Sequence, residues 1–279
     1  MRSKVVLARL VRNRQARYGS IALLLLVLLA YVGPFFGQYE WTDKDFMAFL
    51  SPPSADHWWG TTTIGQDMYA ITLRGMQKSI IIGLLTALIA TTLAAIVGAF
   101  AGYFGGWVDR VLMWGVDLLL VLPSFLIIAI VSPRLKNASW LWFVVLLAVF
   151  AWMITSRVVR SMTLSLRERE YVQAARYMGI PQWKIIFRHV VPNLSSLLII
   201  DATLNVSGAV IGEAALSFFG FGIQPPDVSL GTLIAEGARN ATGYPWLFVF
   251  PSGMLVALVL SINLIGDGLR DALDPGSNT

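Results

Sequence analysis

Six separate stretches of this 279-residue chain are each apolar over about the length a helix needs to cross a lipid bilayer, and nothing else in the sequence constrains its fold as tightly. They run over residues 19–36, 79–102, 108–131, 139–159, 194–218 and 245–264. A hydrocarbon layer of about 30 Å offers the backbone no water, so a segment inside it must close its own hydrogen bonds, as a helix does. With 56% hydrophobic and 13% charged residues, the chain carries more apolar surface than a soluble core of this size encloses. The surplus is expected to face lipid. The expected fold class is all-α integral membrane, with six transmembrane helices.

Basic residues set the orientation, because Lys and Arg resist translocation. Six spans put both ends of the chain on one side. That side collects fifteen basic residues: Arg2, Lys4, Arg9, Arg12, Arg14 and Arg17, then Arg110, those of the 157–188 segment, and Arg270. The other side holds six, Lys44, Arg74, Lys78, Arg134, Lys136 and Arg239. The expectation is N-in and C-in. It divides the chain into a cytoplasmic basic segment (1–18), a first transmembrane helix (19–36), an extracytoplasmic loop (37–78), a five-helix core (79–268) and a cytoplasmic tail (269–279). The first span follows a basic run, as in a signal peptide. No small-x-small cleavage pattern follows Tyr31-Val32-Gly33-Pro34, so it is expected to be retained. The net charge of +5 then belongs to the membrane's inner side and does not call for nucleic acid.

Several chemistries are excluded by what is missing. There is no cysteine, hence no disulfide, thiolate metal site or thiol nucleophile. The two histidines, His57 and His189, fall on opposite sides of the expected topology and cannot share a metal. No Gly-x-x-x-x-Gly-Lys-Ser/Thr, His-Glu-x-x-His or Gly-x-Ser-x-Gly pattern occurs. Neither a catalytic residue nor a cofactor or metal site is expected in this chain.

The inner loop 157–192, between spans four and five, is too patterned for a simple connection. Arg167-Glu168-Arg169-Glu170-Tyr171-Val172-Gln173-Ala174-Ala175-Arg176-Tyr177-Met178-Gly179 predicts a short helix, ended by Gly179 as a left-handed cap and by Pro181. A second short helix over 182–189 leads to Pro192. Small residues at Ala174, Ala175 and Gly179 would let a partner approach the backbone, with Arg176, Lys184 and Arg188 as a charged rim. A basic hairpin lying on anionic headgroups is the competing reading of the same residues.

Inside the spans, Asp201, Asn205, Gly208 and Gly212 recur at helical spacing on one strip, which should face protein or water. A carboxylate at membrane depth marks a candidate functional site. Pore lining, subunit packing, a headgroup-level position and pairing with a neighbouring helix all fit Asp201. Glu213 falls about 100° from the strip's centre, and Asp117 is expected to pair with Arg110 or Arg157. The outer loop 219–244 should carry a short helix over 233–238, either lining a vestibule or forming a plain surface loop.

Gln173-Ala174-Ala175, Gly179 and the closing Arg188-His189-Val190-Val191-Pro192-Asn193 resemble the coupling loop of bacterial ATP-binding-cassette importer permeases. Gly102-Tyr103-Phe104-Gly105-Gly106-Trp107, Glu213-Ala214-Ala215-Leu216-Ser217-Phe218-Phe219-Gly220-Phe221-Gly222 and His57-Trp58-Trp59-Gly60-Thr61 look like the C-type permease of dipeptide and oligopeptide importers. The resemblance covers nearly everything from His57 onward. It departs at Gln173, where the family usually has glutamate, and at Gln66, where arginine is more frequent. The resemblance implies a cytoplasmic coupling helix made of Glu170, Gln173, Ala174, Ala175, Arg176, Gly179, Arg188 and Pro192. It further implies a second permease subunit, two ATPase subunits that use ATP and Mg, and an extracytoplasmic peptide-binding protein. A permease for nickel or another small solute shares the same motifs.

Overall fold

The computed structural model describes residues 12–135 and 139–273. Arg2, Lys4, Arg9 and Lys136, which enter the charge argument, lie outside the described residues, as do much of the 1–18 segment and the tail beyond 273. The regular structure among the described residues is helical. Among the described residues an isolated bridge between Thr61 and Asp67 is the only β pairing. Four segments, Arg14–Phe36, Met68–Phe104, Gln182–Phe218 and Trp246–Leu273, are long and apolar enough to cross a membrane. Two bent pairs bring the number to six if each pair is one span.

The helices are α1 (Arg14–Val32), α2 (Met68–Phe104), α3 (Gly106–Val121), α4 (Ser124–Val131), α5 (Leu141–Ala151), α6 (Met153–Arg167), α7 (Glu170–Tyr177), α8 (Gln182–Ile185), α9 (Ser195–Phe218), α10 (Leu230–Ala238) and α11 (Trp246–Leu273). The spine is α2, which packs against α6, α9, α5, α3, α10 and α1. Close approach along it requires glycine. A Cβ at Gly75 would lie 3.0 Å from the Ser229 carbonyl carbon, at Gly83 2.8 Å from Val210, at Gly98 2.7 Å from Val159, and at Gly102 2.6 Å from the Arg160 carbonyl oxygen. One core joins Leu73, Met76, Val210, Leu230 and Leu258 around α2; a second joins Ile82, Ile128, Phe143, Val144 and Leu216. Each fully buried Leu, Ile or Met stabilises by roughly 1.5–3 kcal/mol where the alternative is water.

The spine begins eleven residues before the apolar stretch that announces it. Asp67 caps it by accepting from the Ala70 amide at 2.8 Å. Arg74, Gln77 and Lys78 hide its first turns from a hydropathy reading, yet each has a partner: Arg74 lies over Trp41, Gln77 donates to the Ala30 carbonyl, and Lys78 pairs with Asp227. The expected third span is broken. Gly106–Val121 and Ser124–Arg134 meet at 76°, because Pro123 lacks the amide to continue the helix and keeps Leu122 extended. The fourth bends by 46° at Trp152, beside Ser156, whose hydroxyl donates to the Met153 carbonyl at 2.6 Å. Beyond the bend, α6 runs on to Arg167, well into the expected inner loop.

The 37–67 segment is built around His57. The ring is buried, stacks on Tyr39 at 4.4 Å, and places Nδ1 2.9 Å from an Asp67 carboxylate oxygen and Nε2 3.6 Å from Asp45. Trp246 Nε1 donates to the Thr61 carbonyl, tying this segment to the start of α11.

Candidate functional site

Helices α7 and α8 form a hairpin at the end of the spine, and the junction between them follows from two residues. Gly179 adopts φ +73°, a left-handed conformation that a side chain would strain. Its amide donates to the Arg176 carbonyl (3.1 Å), and the Ile180 amide donates to that of Ala175 (3.2 Å), so two carbonyls at the end of α7 are satisfied. Pro181 then sets the entrance to α8. Glu170 stands in the first turn of α7 and Arg176 in its last, each complementing the helix dipole. After α8 the backbone widens into a π turn (Ile186–Val190) carrying Arg188, then tightens at Val191–Leu194 around Pro192.

The hairpin has two unlike faces. Val172, Ala175 and Ile185 are buried against Tyr103 and Ile180, and Ile186, Val190 and Leu194 pack on Ala99 and Val159. Gln173, Ala174, Arg176, Gly179, Lys184 and Arg188 are exposed. So are large apolar groups: Tyr177 at 87%, Met178 at 71% and Trp183 at 56%. Ala175, expected among the surface positions, faces the inside of the hairpin. The exposed apolar side chains beside it were not singled out in the sequence, although Tyr177, Met178 and Trp183 flank the glycine turn. A cleft of about 730 Å³ opens beside the hairpin, bordered by Tyr103, Arg167, Gln173, Arg176 and Gln182. Gln173 donates to the Glu168 carbonyl at 3.3 Å.

Above the hairpin, α3 is tied to α6 by charge. Arg160 grips both carboxylate oxygens of Asp109, and Arg157 pairs with Asp117, one of the two arrangements expected. Arg167 donates to the Gly102 carbonyl at 3.2 Å, fixing the end of α6 to the end of α2.

The polar strip on α9 divides in two. Asp201 accepts from Thr155 on α6 at 2.7 Å and from Asn205 at 2.8 Å, so this carboxylate joins two helices. Gly208 and Gly212 have nothing within 4 Å of a Cβ position and face open space.

A further polar assembly sits at the opposite end, where α10 meets α9 and α2. Glu213 is fully buried; its Oε1 accepts from Ser217 and Ser229, both at 2.6 Å, while Oε2 has no partner among the described residues. Ser229 also caps α10: its hydroxyl accepts from the Thr232 amide, and its own amide donates to the Thr232 hydroxyl. The Leu230 amide donates to Ser79 on α2, and Lys78 next to it reaches Asp227 at 2.6 Å beneath the ring of Trp140. The spacing Glu213-x-x-x-Ser217 and the Ser229-x-x-Thr232 cap are visible in the sequence; their convergence is not.

Comparison with known proteins agrees with this architecture. Residues 94–278 match the family model described as binding-protein-dependent transport system inner membrane component, and residues 2–53 match that of the N-terminal TM domain of oligopeptide transport permease C. The oligopeptide transport system permease protein OppC of Mycobacterium tuberculosis is 59% identical over 279 residues, all of this chain and 96% of the relative. The protein of that name from Bacillus subtilis is 34% identical over 272 residues, 98% of this chain and 89% of the relative.

Proposed function

From the premise that the chain belongs to the family of binding-protein-dependent transport system inner membrane components, we propose a complete working arrangement for it. It is a multi-pass inner-membrane protein and a permease subunit of an ATP-driven peptide importer. Its six spans are α1, α2, α3 with α4, α5 with the first part of α6, α9, and α11. Both ends of the chain are cytoplasmic, and so is the hairpin. A second, related permease subunit completes the translocation pathway. Two ATPase subunits bind ATP and Mg, and an extracytoplasmic binding protein delivers peptide to the end that carries α10. This chain itself performs no catalysis.

One observation carries the reading. The hairpin buries one face on the spine and leaves Tyr177, Met178 and Trp183 exposed, together with the basic residues Arg176, Lys184 and Arg188. Exposed aromatic and Met side chains grouped this way mark a protein-binding surface. Ala174 and Gly179 let the partner approach the backbone, and Gln173 offers an uncharged amide beside them. Closure of the ATPases would draw the hairpins of the two permeases together. Through α2 and α6 that motion would reach the helices lining the pathway, with Gly208 and Gly212 on its wall. Nucleotide shifts the balance between states only by binding one of them more tightly.

Co-purification from native membranes, read by mass spectrometry, tests the arrangement. The wild type is expected to bring a second permease and ATPases; Gly179→Arg and Met178→Arg are expected to lose the ATPases and keep the permease. Ala175→Arg is unsuitable, since it would break the hairpin's own core. A chain that purifies alone, or variants that retain the ATPases, would overturn the docking assignment.

A further inference from the structure

At the end of the molecule away from the hairpin, a cavity of about 290 Å³ separates the 62–66 turn from the last turn of α10. Both walls are held firmly. The 62–66 turn closes on itself through the Thr62 amide to the Gln66 carbonyl (2.9 Å) and the Gln66 amide to the Thr62 hydroxyl (3.0 Å), and it is anchored to α11 through Thr61 and Trp246. On the other wall Gly237 presses on α11, where a Cβ would sit 2.6 Å from the Leu247 carbonyl carbon. Met68, Leu233 and Leu247 give the cavity an apolar floor.

The polar groups around that floor are unspent. Glu236 and Arg239, one helical turn apart, form no ion pair with each other or with any other described residue. The side chains of Thr63 and Asn240 make no hydrogen bond among the described residues, and Gln66 uses only its amide nitrogen, toward Trp41. Burial raises the Glu236 carboxyl above its ordinary value, against a weaker opposing pull from Arg239, so a cation arriving there would replace lost hydration. The C-terminal end of α10 adds the negative pole of its dipole on the same side. A small cavity with an apolar floor and a few convergent polar groups is the usual form of a ligand site.

We propose that this cavity is an outer subsite for the free amino terminus of the peptide, with Glu236 receiving the ammonium. Thr63, Asn240 and the Gln66 side-chain oxygen Oε1 bond the first peptide group, and the floor accepts one side chain. Arg239 faces the carboxylate when the peptide is only two or three residues long. It holds both signs of charge unpaired, as a short zwitterion requires. This rests on the transport reading above, but it makes a separate claim.

The absence of cysteine in this chain supplies the test. Ile64, on the rim and 47% exposed, is replaced by Ile64→Cys, and the rate at which a charged thiol reagent labels this chain is followed in the assembled complex without binding protein. Millimolar trialanine is expected to slow labelling about tenfold, N-acetyl-trialanine to have little effect, and Glu236→Gln on the same background to abolish protection. Equal protection by both peptides, or none by either, overturns the subsite. ATP-driven trialanine uptake by the wild-type complex in vesicles, with its binding protein, is measured alongside. If uptake occurs without protection, only the subsite fails; if the wild type transports no peptide, the transport reading fails with it.

Discussion

The hairpin at one end of α2 and the α10 assembly at the other are built by opposite means. The hairpin is fastened by apolar side chains on one face only, and it leaves Tyr177, Met178, Trp183, Lys184 and Arg188 exposed. At the start of α10 polar groups are paired in the interior: Glu213 Oε1 accepts from Ser217 and Ser229, and the Ser79 hydroxyl accepts from the Leu230 amide. A surface awaiting another chain can leave its best contact residues unpaired. An element that must keep its place within one chain gains by pairing them, because each unpaired buried group costs about 1–3 kcal/mol, and here Glu213 Oε2 alone of that carboxylate is left without a partner among the described residues.

That contrast can be broken by substitution. The largest loss of stability is expected from Glu213→Ala, which strands two buried hydroxyls and opens a cavity, for about 3 kcal/mol or more; thermal unfolding of the purified complex would show it. An unchanged midpoint would mean that α10 is held by its apolar contacts alone. Gly231→Ala comes next at roughly 2 kcal/mol, since its Cβ would stand 2.5 Å from the Ala214 Cα and force α9 and α10 apart. At the hairpin, Gly179→Ala meets no neighbour and pays only for φ +73°, about 1 kcal/mol, seen as faster proteolysis near residue 179. Smallest of all in stability is Tyr177→Ser, expected within about 0.5 kcal/mol of wild type while reducing ATPase retention. If Tyr177→Ser destabilises the chain as much as Glu213→Ala, the two ends are not different in kind.

The sequence discloses the hairpin better than the α10 assembly, for physical reasons. A left-handed glycine followed by proline is local information, and Gly179-Ile180-Pro181 fold as their spacing predicts. Asp117 needed only the choice between two arginines. Glu213 is different: an acidic residue in an apolar stretch reads alike whether it lines a pore or bonds a neighbouring helix, and its decisive partner, Ser229, is sixteen residues away across a turn. Ala175 failed for another reason. A helix of eight residues has too few turns for periodicity to say which face is buried, and the burial is imposed by Tyr103 on α2. The first turns of α2 were hidden because Arg74, Gln77 and Lys78 lower local hydropathy while finding partners elsewhere in the fold.

The unbroken length of α2 has a mechanical consequence. Thirty-seven residues without proline make a strut of about 55 Å, with Tyr103 under the hairpin near one tip and Lys78 and Ser79 at the α10 assembly toward the other. Strain applied at the hairpin would pass along such a member mainly as displacement of the whole, with no proline in it to serve as a hinge. The compliant joints lie beside it, at Pro123 and Trp152. A frame built this way would pivot around its strut, so that work delivered at one tip would be available at the other.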